Sequence, residues 1–340
     1  MVEKRIYNLL LMVLASILCL TIWMYGLNEP PATLAVYQLH TTNSSYSHPL
    51  YLLPKDDYFQ LIDLNFTFRI LNLPCNESNP LLLVLVHSSP ENFAKRNTIR
   101  ETWGKNDNEV KILFVTGATN NSSIQKKIDM ENRRNGDFIQ GSFLDAYRNM
   151  TYKHVMVLKY AVYHCPHVKY ILKTDDDVFV HMPAMKNFLT NDLSSYGASK
   201  VLFCTIRKNI IALRTYRSKW RVSFSEYPEK YYPNYCPGWT LLYSPDIVFH
   251  LYKEAQRTDY FWIDDIHITG ILAKKLNIVH TDIEPLVISR QNLKYVLENS
   301  HNITEPFLYG RSDLDEDAIR ALWRYATSHT TPKYILKNNH

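Results

Sequence analysis

The run PLLLVLVHS, residues 80–88, limits the possible folds more than any other stretch of this 340-residue chain. Six consecutive Leu and Val residues leave no polar face, so a strand here must be covered on both sides. The same texture returns in VKILFVTG (110–117) and VKYILKTDDDVFV (168–180). Helix-like segments lie between these runs. In SSPENFAKRNTIRETWG (88–104), Ser89 suits a cap, Pro90 a first turn and Gly104 an end. SSIQKKIDMENRRNG (122–136) reads as a polar helix, FIQG (138–141) as a short strand, and TYKHVMVLKYAVYHC (151–165) as a helix with an apolar stripe. Strand and helix thus alternate from residue 81 to about 180, the pattern of an α/β fold with a mostly parallel central sheet and flanking helices.

Upstream the texture differs. Residues 6–25 carry no charge, which is long enough for a membrane-spanning helix. Lys4 and Arg5 precede this run and Glu29 follows it, which orients the first residues to the cytosol. A cleaved signal peptide is the alternative, but the run is longer than a usual signal core and no small-x-small site follows. Residues 26–78, rich in Pro, Asn, Ser and Tyr, read as a stem, and residues 79–340 as a lumenal domain. Sequons at Asn43, Asn65, Asn76, Asn120, Asn121, Asn149 and Asn302 agree with that side of the membrane. So do Cys75, Cys165, Cys204 and Cys236, which allow two disulfides in three pairings and fit no zinc spacing. The net charge of +5 is modest and no dense basic block occurs, which argues against a nucleic-acid partner.

The second half is less regular. VLFCTI (201–206) and WRVSFSEY (220–227) read as strands and YYPNYCPGW (231–239) as an aromatic loop. TLLYSPDIVFHLYKEAQR (240–257) reads as a strand and then a helix capped by Ser244; one helix and a loose end follow residue 310.

Two acidic clusters interrupt this pattern. Asp175, Asp176 and Asp177 follow an apolar strand directly. Alternation sets Asp175 and Asp177 on one side and Asp176 on the other. They fall at the strand's carboxyl end, where open α/β sheets bind ligands. Two carboxylates there make half a site for Mg²⁺ or Mn²⁺, whose shell water and phosphates complete. Asp264 and Asp265 sit beside Phe261, Trp262 and Ile263. Apolar walls raise a carboxylate's basicity, so one of the pair suits a general base while the other caps a helix. Arg96 and Arg100, four apart on one helix face, either meet nucleotide phosphates or form a solvated basic face.

With these residues in view, the chain resembles the β-1,3-galactosyltransferase / β-1,3-N-acetylglucosaminyltransferase family of inverting Golgi glycosyltransferases. The resemblance covers residues 80 to about 290. It rests on RNTIRETWG (96–104), FLDAYRNMTYKHV (143–155), KTDDDVFV (173–180), EYPEKYYPNYCPG (226–238) and DDIHITG (264–270), in that order. It implies a GT-A-type fold, a UDP-sugar donor, Mn²⁺ (or Mg²⁺), an acceptor glycan on glycoprotein or glycolipid, and a single-pass Golgi membrane protein with its catalytic domain lumenal. By motif, Asp175 and Asp177 resemble the metal-binding pair, Asp176 would lie near the ribose, and Asp265 resembles the catalytic base. Arg96 and Arg100, with Trp103, match an early signature expected to bind donor or support the core. Tyr235, Gly238, Trp239 and Asp264 fall in the substrate loop and acidic motif. Pro237, Trp239, Thr240, Asp264, Ile266 and His267 depart from common family residues, and Gly270 comes one place late. These departures bear on the donor sugar.

The expected reaction transfers a hexose, galactose first and N-acetylglucosamine or N-acetylgalactosamine next, to a 3-hydroxyl with inversion. The rivals are a non-catalytic carbohydrate-binding protein of the same fold and an aspartate-nucleophile phosphohydrolase. Phe179 stands where the latter's motif wants Thr or Val.

Overall fold

The computed structural model describes residue 16 and residues 48–76, 78–298, 303 and 306–329. Eight strands build its main sheet: β1 (Phe68–Leu71), β2 (Leu82–His87), β3 (Val110–Ala118), β4 (Phe138–Leu144), β5 (Tyr170–Asp175), β6 (Leu202–Cys204), β7 (Thr240–Tyr243) and β8 (Thr281–Asp282). Their order is β8-β6-β7-β5-β2-β3-β4-β1. The runs without a polar face lie in the middle, and β2 is buried at every position. Strands β4, β3, β2 and β5 are parallel, joined by crossovers through α1 (Phe93–Glu101), α2 (Ser122–Asn135) and α3 (Met150–His164).

The sheet is mixed rather than mostly parallel. β7 runs antiparallel to β5 and β6, and β1 antiparallel to β4, while β8 is parallel to β6. The chain returns from β6 to β7 through a long loop, and an antiparallel neighbour needs no helical crossover. The longer helices after α3 include α4 (Met182–Asn187, continued by the π-helical Phe188–Ser194), α5 (Pro245–Ala255), α6 (Asp265–Leu272, π-helical) and α7 (Arg290–Leu297), with α8 (Glu316–Ser328) last.

Local chemistry explains several boundaries. Asn121 caps α2 by accepting from the Ser123 and Ile124 amides, and Gly136 closes that helix in the left-handed region at φ 63°. α1 starts later than expected, at Phe93 with Asn92 in the cap position. Ser89 and Pro90 lie ahead of it, and the Asn92 side chain caps nothing because it binds Asp176. Ser244 does precede α5, but its hydroxyl accepts from the Val201 amide instead of capping. WRVSFSEY is not a strand. The Arg214 guanidinium donates to the carbonyls of Val222, Ser223, Tyr227 and Glu229, holding these residues in a loop.

The stem reading fails from residue 48 onward. Leu53, Leu61, Phe66 and Cys75 belong to the main core, β1 is an edge of the sheet, and Cys75 is bonded to Cys165. Asp57 anchors this segment. Its buried carboxylate accepts from Tyr163 at 2.8 Å, from Gln256 at 2.9 Å and from the Tyr252 hydroxyl, with Lys159 at 3.8 Å. Burial pulls the Lys159 ammonium down to about 8 although Asp57 raises it. Asp57→Asn leaves that ammonium buried without a counter-charge and should cost about 2–3 kcal/mol in urea unfolding; Lys159→Met in the same chain should recover part of the loss.

Among the described residues no helix is long and apolar enough to cross a membrane. The expected anchor, residues 6–25, lies outside them except for Ser16, as does the part of the expected stem before residue 48.

Candidate active site

β5 ends at Asp175, level with His87 at the end of β2. Beyond it the three acids part. Asp175 and Asp177 line a cavity of about 280 Å³. Asp176 does not line it: its carboxylate accepts from Ser88 Oγ at 2.7 Å and from Asn92 Nδ2 at 2.8 Å. Lys95 sits 3.5 Å from Asp176 and 3.4 Å from Asp177. Opposite Asp177 stands Asp313, in the left-handed region at φ 64°, a conformation an Asp tolerates better than most residues. Two backbone bonds hold that loop to the acidic turn, from Leu314 to the Asp177 carbonyl at 3.0 Å and from Gly310 to that of Phe179 at 2.7 Å.

Lys173, two places before Asp175 and so on the same strand face, is buried in this cavity's floor. Its ammonium donates to Asp175 at 2.8 Å and to the Gly238 carbonyl. Burial opposes its charge, but Asp175, Asp264 and Asp265 together raise its pKa above the usual lysine range. Five carboxylates, Asp175, Asp177, Asp264, Asp265 and Asp313, thus line the cavity against one ammonium. Burial raises Asp177, helped by Asp176 and Asp313 and opposed by Lys95. Hard oxygen donors in excess of positive charge fit Mg²⁺ or Mn²⁺. Among the described residues no three His, Cys, Asp or Glu side chains gather closely enough to hold an ion alone. Asp177 with Asp175 would supply the protein's share of ligands, and a diphosphate the rest.

Asp264 and Asp265 open α6 on the far wall, beside Trp262 and Ile263. Neither caps the helix. Asp264 meets His154 Nδ1 at 3.1 Å, and His154 Nε2 lies 3.2 Å from the Tyr243 hydroxyl. Burial pushes Asp264 up, but the His154 hydrogen bond and the Lys173 ammonium outweigh that and hold it below the carboxylate range. Burial also holds His154 below the usual histidine range despite Asp264. A neutral ring that donates from Nδ1 to an ionised Asp264 then accepts the Tyr243 proton at Nε2. Asp265 has the opposite environment. Burial, then the neighbouring Asp264 charge, push it well above the carboxylate range, against Lys173 and the Gly238 amide. Two adjacent acids with divergent proton affinities are the arrangement that assigns acid–base roles.

Gly238 is required by space, not by its backbone angle: a Cβ there would stand 2.3 Å from an Asp265 carboxylate oxygen and 3.0 Å from Lys173 Nζ. The loop is fixed by the Cys204–Cys236 disulfide and by Thr269, which accepts from the Cys236 amide at 2.9 Å.

A second chamber of about 400 Å³ adjoins the first. Its wall is mostly apolar, with Ile210, Leu213 and Tyr232, plus Arg207 and the expected Tyr235. Trp220, Pro237, Ile263 and Asp265 line both chambers. The raised carboxylate therefore stands at their junction.

Two expected residues, Arg96 and Arg100, lie elsewhere. Arg96 is fully buried, donating to Glu131 at 2.8 Å, Ser88 Oγ at 2.9 Å and the Ser89 carbonyl at 2.7 Å. Arg100 holds Glu131 at 2.6 Å and Asp137 at 2.7 Å. Neither lines the cavity, and Glu131 and Asp137 already take their donors, which corrects the phosphate reading. Gly238, Trp239 and Asp264 do line the first chamber. Lys173, His154, Trp220 and Asp313 escaped the sequence reading. A lysine inside an apolar strand and a histidine inside an apolar helix were the available signals for the first two.

The galactosyltransferase family model matches residues 94–284. This chain belongs to the galactosyltransferase family. The family's β-1,3-galactosyltransferase 5 of Gorilla gorilla gorilla is 31% identical over 280 residues, covering 81% of this chain and 84% of that protein. The human protein of the same name is 30% identical, with 81% of each chain covered. Human lactosylceramide 1,3-N-acetyl-beta-D-glucosaminyltransferase is 33% identical over 61% of this chain and 57% of its own. Among solved structures, galactosyltransferase LgtC with donor and acceptor sugar analogues aligns with a TM-score of 0.35 at 10% identity, over 74% of this family member and 97% of that chain.

Proposed function

We propose that this chain is an inverting β-1,3-hexosyltransferase of GT-A type that moves galactose from UDP-galactose to the 3-hydroxyl of an acceptor glycan. The observation that carries this reading is Asp265, one proton-accepting carboxylate at the junction of an acidic and an apolar chamber. The donor's diphosphate would lie in the acidic chamber near Asp175 and Asp177. The acceptor sugar would enter from the second chamber, its hydroxyl at Asp265. Asp265 takes the hydroxyl proton, the oxygen bonds to the anomeric carbon, and the bond from that carbon to the UDP oxygen breaks on the opposite face. An α-linked donor then yields a β-linked product. A divalent cation held by Asp177 and Asp175 would offset the charge on departing UDP, so no second carboxylic acid is needed.

Lys173 keeps Asp175 and the acidic pair ionisable in a buried place, and His154 keeps the shared proton off Asp264. Trp220 and Trp262 offer faces for sugar rings. Asp176, Arg96 and Arg100 brace the turn from behind. Galactose is favoured because the relatives covering most of the chain carry that name. The shorter match to an N-acetylglucosaminyl enzyme keeps that donor as the alternative. Pro237 and Trp239 line the donor chamber, where a 2-acetamido group would be accepted or refused. The apolar run at residues 6–25 and the two disulfides support a Golgi membrane protein with a lumenal domain.

The test is a screen of UDP-Gal, UDP-GlcNAc and UDP-GalNAc against an acceptor panel, alongside calorimetric titration of UDP with Mn²⁺. Asp177→Asn should weaken Mn²⁺-dependent UDP binding by at least about tenfold, or 1.4 kcal/mol. No transfer from any UDP-sugar, with glycan binding that ignores Mn²⁺, would support the carbohydrate-binding rival.

A further inference from the structure

Segment 207–231, on the rim of the second chamber, has a composition unlike its surroundings. It holds seven Lys and Arg residues and two Glu. Six of the seventeen exposed large hydrophobic residues among those described fall within it: Ile211, Leu213, Tyr216, Trp220, Phe224 and Tyr231. Backbone pairing holds the segment together. Ile211 is bridged to Tyr231, and the Val222 amide donates to the Leu213 carbonyl at 2.8 Å. Ile211, Leu213 and Trp220 also line the chamber, so the apolar wall runs outward onto the rim.

Cations sit over the outer rings, with Arg221 3.8 Å from the Tyr216 centroid and Arg214 4.2 Å from that of Phe224. Cations also stand 4.5 Å over Trp220 (Lys219) and over Trp262 (Arg148), which line the cavity, so what sets Tyr216 and Phe224 apart is that neither lines a chamber. Tyr216 is 86% and Phe224 69% exposed. Exposed aromatic and aliphatic side chains mixed with basic ones are the chemistry of a surface that lies in a lipid–water interface.

We propose that this rim docks on an anionic bilayer surface and so presents the second chamber to an acceptor sugar carried on a lipid. The acceptor half rests on the transferase reading above; the docking half does not.

The experiment reconstitutes the full chain in phosphatidylcholine vesicles with and without phosphatidylserine and follows amide hydrogen exchange by peptide. Peptides from 207–231 should exchange more slowly when phosphatidylserine is present, and those from α2 should not change. Tyr216→Ser with Phe224→Ser, both on the surface, should abolish that slowing. The same variant should lose about tenfold in transfer to lactose on a ceramide in the vesicles, relative to free lactose. Equal exchange in both vesicles, or slowing by free lactose alone, overturns the docking. Slowing with equal loss on both acceptors overturns the presentation of a lipid-borne sugar. A chain that transfers to neither acceptor nor to any member of the acceptor panel sinks the transferase reading and its acceptor half, while the exchange result still decides the docking.

Discussion

Asp265→Asn should lose transfer by about a hundredfold to ten-thousandfold, the range for removal of a general base, while UDP binding with Mn²⁺ stays near the parent's. The same variant should be more stable than the parent above neutral pH. Burial and the Asp264 charge raise the Asp265 carboxyl in the folded chain. Stability from holding that proton is complete below the unfolded carboxyl's pKa and is lost as pH rises through the higher folded value. Asparagine has no proton to lose, so the melting temperatures of variant and parent should diverge as pH rises above the ordinary carboxylate range. In the parent the acid limb of kcat/KM should lie above an ordinary carboxylate's, because the base must first ionise. Asp264→Asn removes the adjacent charge and should move that limb to lower pH. Near-normal turnover in Asp265→Asn would remove it as the base.

Lys173→Met should damage both folding and transfer. Among the described residues, this ammonium is the single cation lining the acidic chamber, and it bonds to Asp175 at 2.8 Å and to the Gly238 carbonyl. Methionine fills the space but leaves Asp175, Asp264 and Asp265 unbalanced. Breaking a buried pair costs about 3–5 kcal/mol, and the loss here should fall at or below the low end because the Asp175 side chain is 36% exposed. Acid should shrink the cost, since carboxyls that lose a neighbouring cation can hold protons instead. Denaturant unfolding at pH 5 and pH 8 measures that difference. Transfer should fall further than stability explains, because Gly238 and Asp265 share the same few ångströms as Lys173. A variant matching the parent at pH 8 in both respects would show that Lys173 is no more than filler.

Much of the scaffold was legible because its signals are local. β2, β3 and β5 reveal themselves as apolar runs and α2 as a polar run closed by Gly136. The strand period separates Asp176 from the Asp175 and Asp177 side chains that line the cavity. Distant residues left no such signal. Trp220 and Asp313 reach the cavity from loops far along the chain, and β7 joins β5 by a return that no periodicity announces. Lys173 and His154 were visible but unread, because one buried polar residue in an apolar element means little until its partner is known. The arginines misled for a related reason: spacing puts Arg96 and Arg100 on one face, but only the fold shows that Glu131 and Asp137 lie beneath it.

Asp57, β1 and the Cys75–Cys165 bond tie the chain to the sheet from residue 48 onward, so residues 48–78 do not serve as a spacer. With the expected anchor ending at residue 25, only residues 26–47 would separate bilayer from folded unit. Fully stretched, they would reach about 75 Å, against roughly 185 Å had residues 26–78 all been free. An enzyme on so short a lead would search only acceptors that come close to its own membrane.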